Sequence, residues 1–215
     1  MKIIECEQNT PEWLQARLAR PTASAFGRIL TPGGKLSAQA DAYCHELLAE
    51  WLTGMPRGYE EGGGFTGNNH TDRGHALEAE ARAWYELETG NTVTQVGFVT
   101  NDEGTIGCSP DGLVGDDGLV EIKCPAPWTH IGYLLGDTVP PTYRPQVQGQ
   151  ILVAERAWCD FVSYHPLMPP LLVRAERDIH YQDSLRTALA GFLEKLETKR
   201  ATLISRGFTP QGETA

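Results

Sequence analysis

At Gly90 the hydrophobic spacing of this chain changes from three-to-four residues to two, and that switch limits the fold more than any other feature. Before it the pattern is helical. Pro11 suits a first turn, Trp13, Leu14, Arg17 and Leu18 follow at helical spacing, and Pro21 ends the segment. Thr22 or Ser24 can cap a second short helix running through Leu30. After a turn at Leu30–Lys35, Ser37 is expected to cap a long helix carrying Tyr43, Leu47, Leu48 and Trp51, closed by Gly54. A glycine-rich loop over residues 58–67 leads to a helix from Thr71 to Glu88, stopped by Gly90.

Beyond Gly90 the alternation predicts a strand over Val93–Thr100 and another over Thr105–Cys108. Asp111–Val114 and Leu119–Lys123 then flank the turn Gly115-Asp116-Asp117-Gly118. Helical spacing returns weakly over Trp128–Leu135 and more strongly over Arg144–Arg156. Two late strands, Trp158–His165 and Leu171–Glu176, precede an amphipathic helix from Tyr181 to Ser205. Helices, then strands, then helix, then strand is an α/β order of the α+β kind: a mixed β-sheet flanked by α-helices. At this length one domain over residues 1–208 is expected, with N-terminal helices at about 11–54, a sheet core at about 70–177, a last helix at about 181–205 and a polar tail at 209–215.

Composition excludes several classes. No apolar run approaches the roughly 18 residues of a membrane span. The first residues lack the basic and apolar stretches of a secretory signal, so a cytoplasmic protein is expected. Cys6, Cys44, Cys108, Cys124 and Cys159 are scattered and form no CxxC pair, which argues against a zinc knuckle or a disulfide framework. A formal charge of −10 is wrong for a general nucleic-acid coat protein, yet carboxylates that bind a cation contribute to such a charge.

The chemistry concentrates in Ser109-Pro110-Asp111 and Glu121-Ile122-Lys123. Alternation puts Glu121 and Lys123 on one face of their strand and Ile122 on the other. Asp111 can share a cation with Glu121 only if it lies opposite on the same face, which requires an odd-numbered loop about Asp116. A two-residue turn would pair Asp111 with Ile122 instead, so a three-residue loop or a bulge is expected. Two carboxylates and a lysine on one surface suit phosphodiester hydrolysis: Mg²⁺ takes hard oxygen ligands, and the lysine orients a water or stabilises developing charge. The same short patterns also occur as an ordinary turn and a half-exposed strand. Glu78 taken alone is a solvated helix residue; packed beside the strand pair it becomes a further ligand. His75 suits Mg²⁺ less well than oxygen donors do.

Six blocks in order extend the pattern: Trp13-x-x-x-Arg17; Thr22-Ala23-Ser24; Arg73-Gly74-x-x-x-Glu78-x-x-Ala81-Arg82; Cys108-Ser109-Pro110-Asp111-Gly112-Leu113; Glu121-Ile122-Lys123-Cys124-Pro125; and Gln146-Val147-Gln148. Together they resemble the lambda-exonuclease-like, or YqaJ-type viral recombinase, family of PD-(D/E)XK nucleases. The resemblance implies a restriction-endonuclease-like core and 5′→3′ exonuclease activity on linear double-stranded DNA, leaving 3′ single-stranded tails for recombination. It implies that Asp111, Glu121 and the main-chain carbonyl of Ile122 hold Mg²⁺, with Mn²⁺ as a substitute, that Glu78 serves a second metal or its water, and that Lys123 is the catalytic lysine. It further implies a 5′-phosphate pocket at Arg17, Ser24, Ser109 and Gln146. An arginine fork with neutral hydroxyl and amide donors suits a terminal phosphate on chemical grounds as well.

By the same resemblance the partners are double-stranded DNA ends and a single-strand annealing protein, the assembly is a homo-oligomer such as a ring-shaped trimer, and the setting is a bacterial cytoplasm with a phage or prophage gene. Two other readings stay open: a PD-(D/E)XK endonuclease, and a non-catalytic DNA-end-binding module. An iron–sulfur nuclease is disfavoured by the cysteine pattern.

Overall fold

The computed structural model describes residues 1–56, 59–60, 64–65 and 69–210, with side chains up to residue 56 and from residue 77 onward. In chain order the strands are β1 (Lys2–Ile4), β2 (Tyr59–Glu60), β3 (Gly64–Phe65), β4 (Val93–Thr94), β5 (Phe98–Thr100), β6 (Gly107–Cys108), β7 (Gly112–Val114), β8 (Gly118–Lys123), β9 (Trp158–Ser163) and β10 (Leu171–Glu176). The α-helices are α1 (Pro11–Arg17), α2 (Ala40–Thr53), α3 (Asn69–Thr89), α4 (Pro127–Gly136), α5 (Arg144–Val153) and α6 (Ile179–Ser205). Most of the glycine-rich stretch 58–67 lies outside the described residues, and β2 and β3 pair within it. The side chains of Arg73 and His75 and the end of the polar tail also lie outside them.

Local chemistry explains the helix ends. Thr10 accepts a hydrogen bond from the Trp13 amide at 3.3 Å, and Pro11 needs no partner in the first turn of α1. Gly54 and Gly90 stop α2 and α3 in the left-handed region, at φ 67° and 70°. Two expectations need correction. The segment Ala23–Arg28 is a 3-10 helix, and neither Thr22 nor Ser24 caps it; their hydroxyls lie 3.2 Å from each other instead. Ser37 does not cap α2 either. Its hydroxyl accepts from the Gln39 amide in the turn before the helix, and Gln39 holds the cap position.

A third correction concerns Val93–Thr100, which is two strands in two sheets. β4 lies at the edge of a five-stranded sheet of order β10-β9-β8-β7-β4, while β5 is central in a three-stranded sheet, β1-β5-β6. The break falls at Gly97, where a Cβ would overlap the Cys6 carbonyl, so only glycine allows the first segment of the chain to approach this closely. All pairings in the five-stranded sheet are antiparallel except β8 with β9, which is parallel and connected through α4 and α5. The mixed sheet flanked by helices is the α+β architecture expected from the element order.

Strand β8 is the centre of the molecule. Leu119, Leu113, Cys159 and Phe161 face a core built with α2, α5, α6 and the 3-10 helix; Val120, Ile122, Val114 and Val162 face a smaller core with Ala81 and Tyr85 of α3. Among the described residues no helix is long and apolar enough to cross a membrane.

The 3-10 helix and α5 meet at Gly149, where a Cβ would overlap the Phe26 ring. Gly149→Ala should therefore destabilise the protein by about 1–3 kcal/mol from overpacking, against the gain of about 1 kcal/mol that alanine brings to an uncrowded helix. A urea titration reads the sign; stabilisation would mean that Phe26 moves aside freely.

Candidate active site

The β7–β8 hairpin decides whether the two carboxylates meet. Val114 pairs with Gly118, Leu113 with Leu119 and Gly112 with Val120, so the loop is the three residues Gly115-Asp116-Asp117, entered at Gly115 with φ 54°. The odd loop expected from the sequence is present. One further step in this register sets Asp111 opposite Glu121, on the same face.

Pairing with β7 stops at Gly112, but β8 runs on to Lys123. Along that free edge the Ile122 amide donates to Asp111 Oδ2 at 2.5 Å. The amide and carbonyl of one strand residue face the same neighbour, so the Ile122 carbonyl lies along this edge beside Asp111. The Lys123 carbonyl faces the other way and accepts from the Tyr164 amide at 2.8 Å.

Glu121 is 2% exposed, a burial that a carboxylate tolerates only with partners. Gln146 donates to its Oε1 and Gln150 to its Oε2, each at 2.6 Å, and the Lys123 ammonium forms an ion pair with it. Gln146 and Gln150 are one turn apart on α5, so a single helix face supplies both amides. Gln150 was not among the expected site residues, although its i+4 spacing from Gln146 was the available signal. Gln146, expected at a phosphate pocket, bonds the Glu121 carboxylate.

Electrostatics follow from this crowding. Burial pushes the Asp111 carboxyl well above its ordinary range, and the neighbouring Glu121 adds to the rise; Lys123 opposes it. Burial would lower Lys123, but Glu121 and then Asp111 outweigh it, so the amine is held above its ordinary value and remains an ammonium. Its nitrogen also lies 5.3 Å from the Tyr143 ring centre. Glu78 comes from α3 on the opposite face of the sheet. It accepts from Arg82 at 2.8 Å, and its charge still contributes to raising Asp111.

Arg17 and Ser109 form the second part of the site. The guanidinium stacks 4.1 Å from the centre of the Trp13 ring and donates to Ser109 Oγ at 3.1 Å. Burial holds Arg17 below its usual value, and among the described residues no carboxylate lies within ion-pair distance of it. Ser24 is exposed and lines with Arg17 a cavity of about 310 Å³ whose wall also carries Trp13, Arg28, Glu46 and Glu50, with Ser109 outside that lining. Cys108, buried at 1%, connects the two parts: burial raises its thiol, Glu121 raises it further and Arg17 lowers it, so it lies within electrostatic reach of both. A larger cavity of about 840 Å³ runs between Leu36 and Phe192 and contains none of these groups.

Among the described residues no group of three or more His, Cys, Asp or Glu side chains could hold a metal ion by itself. The oxygen donors present are two carboxylates and a carbonyl. That set fits a hard divalent cation that keeps waters and takes substrate phosphate as ligands, and the raised Asp111 carboxyl marks a place short of positive charge.

Residues 12–157 match the family model of the YqaJ-like viral recombinase domain. The alkaline exonuclease LHK-Exo from Laribacter hongkongensis superposes with a TM-score of 0.79 at 36% identity, covering 92% of this chain and 98% of that one. Its structure in complex with dAMP gives 0.82 at 38% identity over the same shares. A phage-related exonuclease from Haemophilus somnus 129PT, at 16% identity and a TM-score of 0.65 over 86% of this chain and 96% of that one, shares the fold. An uncharacterised protein of Acanthamoeba polyphaga mimivirus, R354, is 28% identical over 179 residues; the match spans 75% of this chain but 30% of that relative's length.

Proposed function

Because the chain belongs to the YqaJ-like viral recombinase domain family, we propose that it is a Mg²⁺-dependent 5′→3′ exonuclease that degrades one strand of linear double-stranded DNA and leaves a 3′ single-stranded tail for recombination. The nuclease activity itself agrees with the likeness to an alkaline exonuclease along nearly the whole chain. The observation that carries the finer reading is Arg17, a desolvated guanidinium with no carboxylate partner among the described residues, beside a face bearing Asp111, Glu121 and Lys123. A half-buried guanidinium with no carboxylate at ion-pair distance among the described residues gains most from an anion that brings its own charge, and a terminal phosphate carries more than an internal phosphodiester.

In this reading Asp111, Glu121 and the Ile122 carbonyl hold the cation, Glu78 serves a second one or its water, and Arg17, Ser24, Ser109 and Gln146 hold the 5′-phosphate end. When bound, the cation supplies Lewis acidity at the scissile phosphate. Gln146 and Gln150 keep both Glu121 oxygens aimed. Lys123, held as an ammonium by Glu121 and Asp111, stabilises negative charge developing on the phosphate. The Asp111 oxygen is fixed by the Ile122 amide, so this carboxylate is set in place before substrate arrives.

We also assign the nuclease domain to residues 1–208, the setting to the cytoplasm of a bacterial host carrying a phage or prophage gene, and the assembly to a homo-oligomer such as a trimer working with a single-strand annealing protein. The test uses end-labelled linear duplexes with 5′-phosphate or 5′-hydroxyl ends and a closed circle, in Mg²⁺ and in chelator. Rapid cutting of the circle favours an endonuclease, and binding of ends without cutting favours an end-binding module. Arg17→Ala should raise KM on phosphorylated ends by about tenfold or more, the value of a charged hydrogen bond, with a smaller effect on hydroxyl ends. Equal effects on both ends would remove the pocket.

A further inference from the structure

The indole of Trp13 makes two contacts that the proposed chemistry does not yet use. Its Nε1–H donates to Ser109 Oγ at 2.8 Å, and its ring lies under the Arg17 guanidinium at 4.1 Å. Arg17 donates to the same Ser109 oxygen at 3.1 Å. A serine hydroxyl has two acceptor lone pairs and one proton to donate. Indole and guanidinium between them occupy both lone pairs, because neither group can accept. The hydroxyl of Ser109 is thereby left as a donor only, which is the role an anionic oxygen requires. The aromatic face also offsets part of the cost of desolvating Arg17, which among the described residues has no carboxylate at ion-pair distance.

We propose that Trp13 is the positioning residue of the end-binding pocket: it sets Ser109 as a phosphate donor and holds the Arg17 fork in place, without itself touching the scissile bond. This rests on the 5′-phosphate reading of Arg17 and Ser109. Trp13 approaches from α1, far in sequence from Ser109, so its indole closes the pocket only when the N-terminal segment is docked on the β5–β6 side of the fold.

The variants that separate the two contacts are Trp13→Phe, which keeps an aromatic face for Arg17 and removes the N–H donor, and Trp13→Leu, which removes both. The readout is the ratio of kcat/KM on 5′-phosphate to 5′-hydroxyl duplexes for the full chain in Mg²⁺. Trp13→Phe should lower that ratio by about five- to tenfold through KM, the effect of one hydrogen bond, and Trp13→Leu should lower it further. Because the indole acts through Ser109, Trp13→Phe added to Ser109→Ala should produce no further fall; a merely structural tryptophan would give multiplying effects. A phosphate preference that survives Trp13→Phe, or effects that multiply in the double variant, overturns the inference alone. Wild-type indifference to the 5′ group overturns the end-phosphate reading and this inference with it. Circular dichroism and a urea midpoint on each variant show whether a lost ratio comes from a lost fold; Trp13→Phe at wild-type stability with an unchanged ratio also counts against the proposal.

Discussion

Asp111→Asn is expected to abolish cutting and at the same time to raise the melting temperature in chelator. The two effects come from one cause. Asp111 is half-buried beside Glu121, and both desolvation and that neighbour oppose its charge. Asparagine keeps an oxygen for the Ile122 amide, which now bonds Asp111 at 2.5 Å, and removes the repulsion. The cost falls on chemistry: losing a charged ligand and several kcal/mol of transition-state stabilisation corresponds to about a thousandfold or more in rate.

The pH dependence follows from the sign of the shift. Asp111 is raised in the folded protein above its unfolded value of about 3.9, so the folded state binds the proton more tightly. In chelator, wild-type stability attributable to this group is full below about pH 4 and is lost as pH rises through the raised folded value. The asparagine variant should lack that decline. Added Mg²⁺ should restore the wild type at neutral pH and leave the variant unchanged, since only the folded wild type gains by binding it. Thermal melts from about pH 4 to about pH 8, with and without Mg²⁺, test all three statements; near-normal cutting by Asp111→Asn would overturn the site.

Glu121→Ala should behave in the opposite way, losing the fold along with the activity. Glu121 is 2% exposed and is the acceptor for Gln146, Gln150 and Lys123. Truncating it leaves two amides and an ammonium facing a void, and removing one partner of a buried pair costs about 3–5 kcal/mol. The urea midpoint should fall with little change in slope. Adding Lys123→Met should recover part of the loss by withdrawing the orphaned charge. A Glu121→Ala variant as stable as wild type would mean that water reaches this carboxylate freely. Two carboxylates of one proposed metal site thus have opposite relations to stability, because one is surrounded by donors and the other is pressed against a like charge.

How far these features were legible in the sequence depended on their range. The stops at Gly54 and Gly90 and the start at Pro11 were readable because glycine and proline act on their own backbone. The Gly115–Asp117 loop was readable indirectly: a period of two allows Asp111 and Glu121 to share a face only with an odd loop. The split of Val93–Thr100 was hidden, since alternation looks the same whether a run stays in one sheet or changes sheets at a glycine. Gln150 is legible only as an amide one turn from Gln146, a spacing that gains meaning once their shared partner, Glu121, is known.

What the sequence determined by itself, then, was which residue types stand at which spacing: the carboxylates and lysine near the hairpin, the helix ends and the α+β order. Tertiary structure alone decided what those residues became. It buried Glu121 against α5, kept Lys123 an ammonium, carried Glu78 within electrostatic reach of Asp111 from the other face and brought Trp13 onto Ser109. The physical reason is that spacing is a property of the local backbone, whereas burial, charge state and hydrogen-bond partners belong to groups that meet only when distant segments pack.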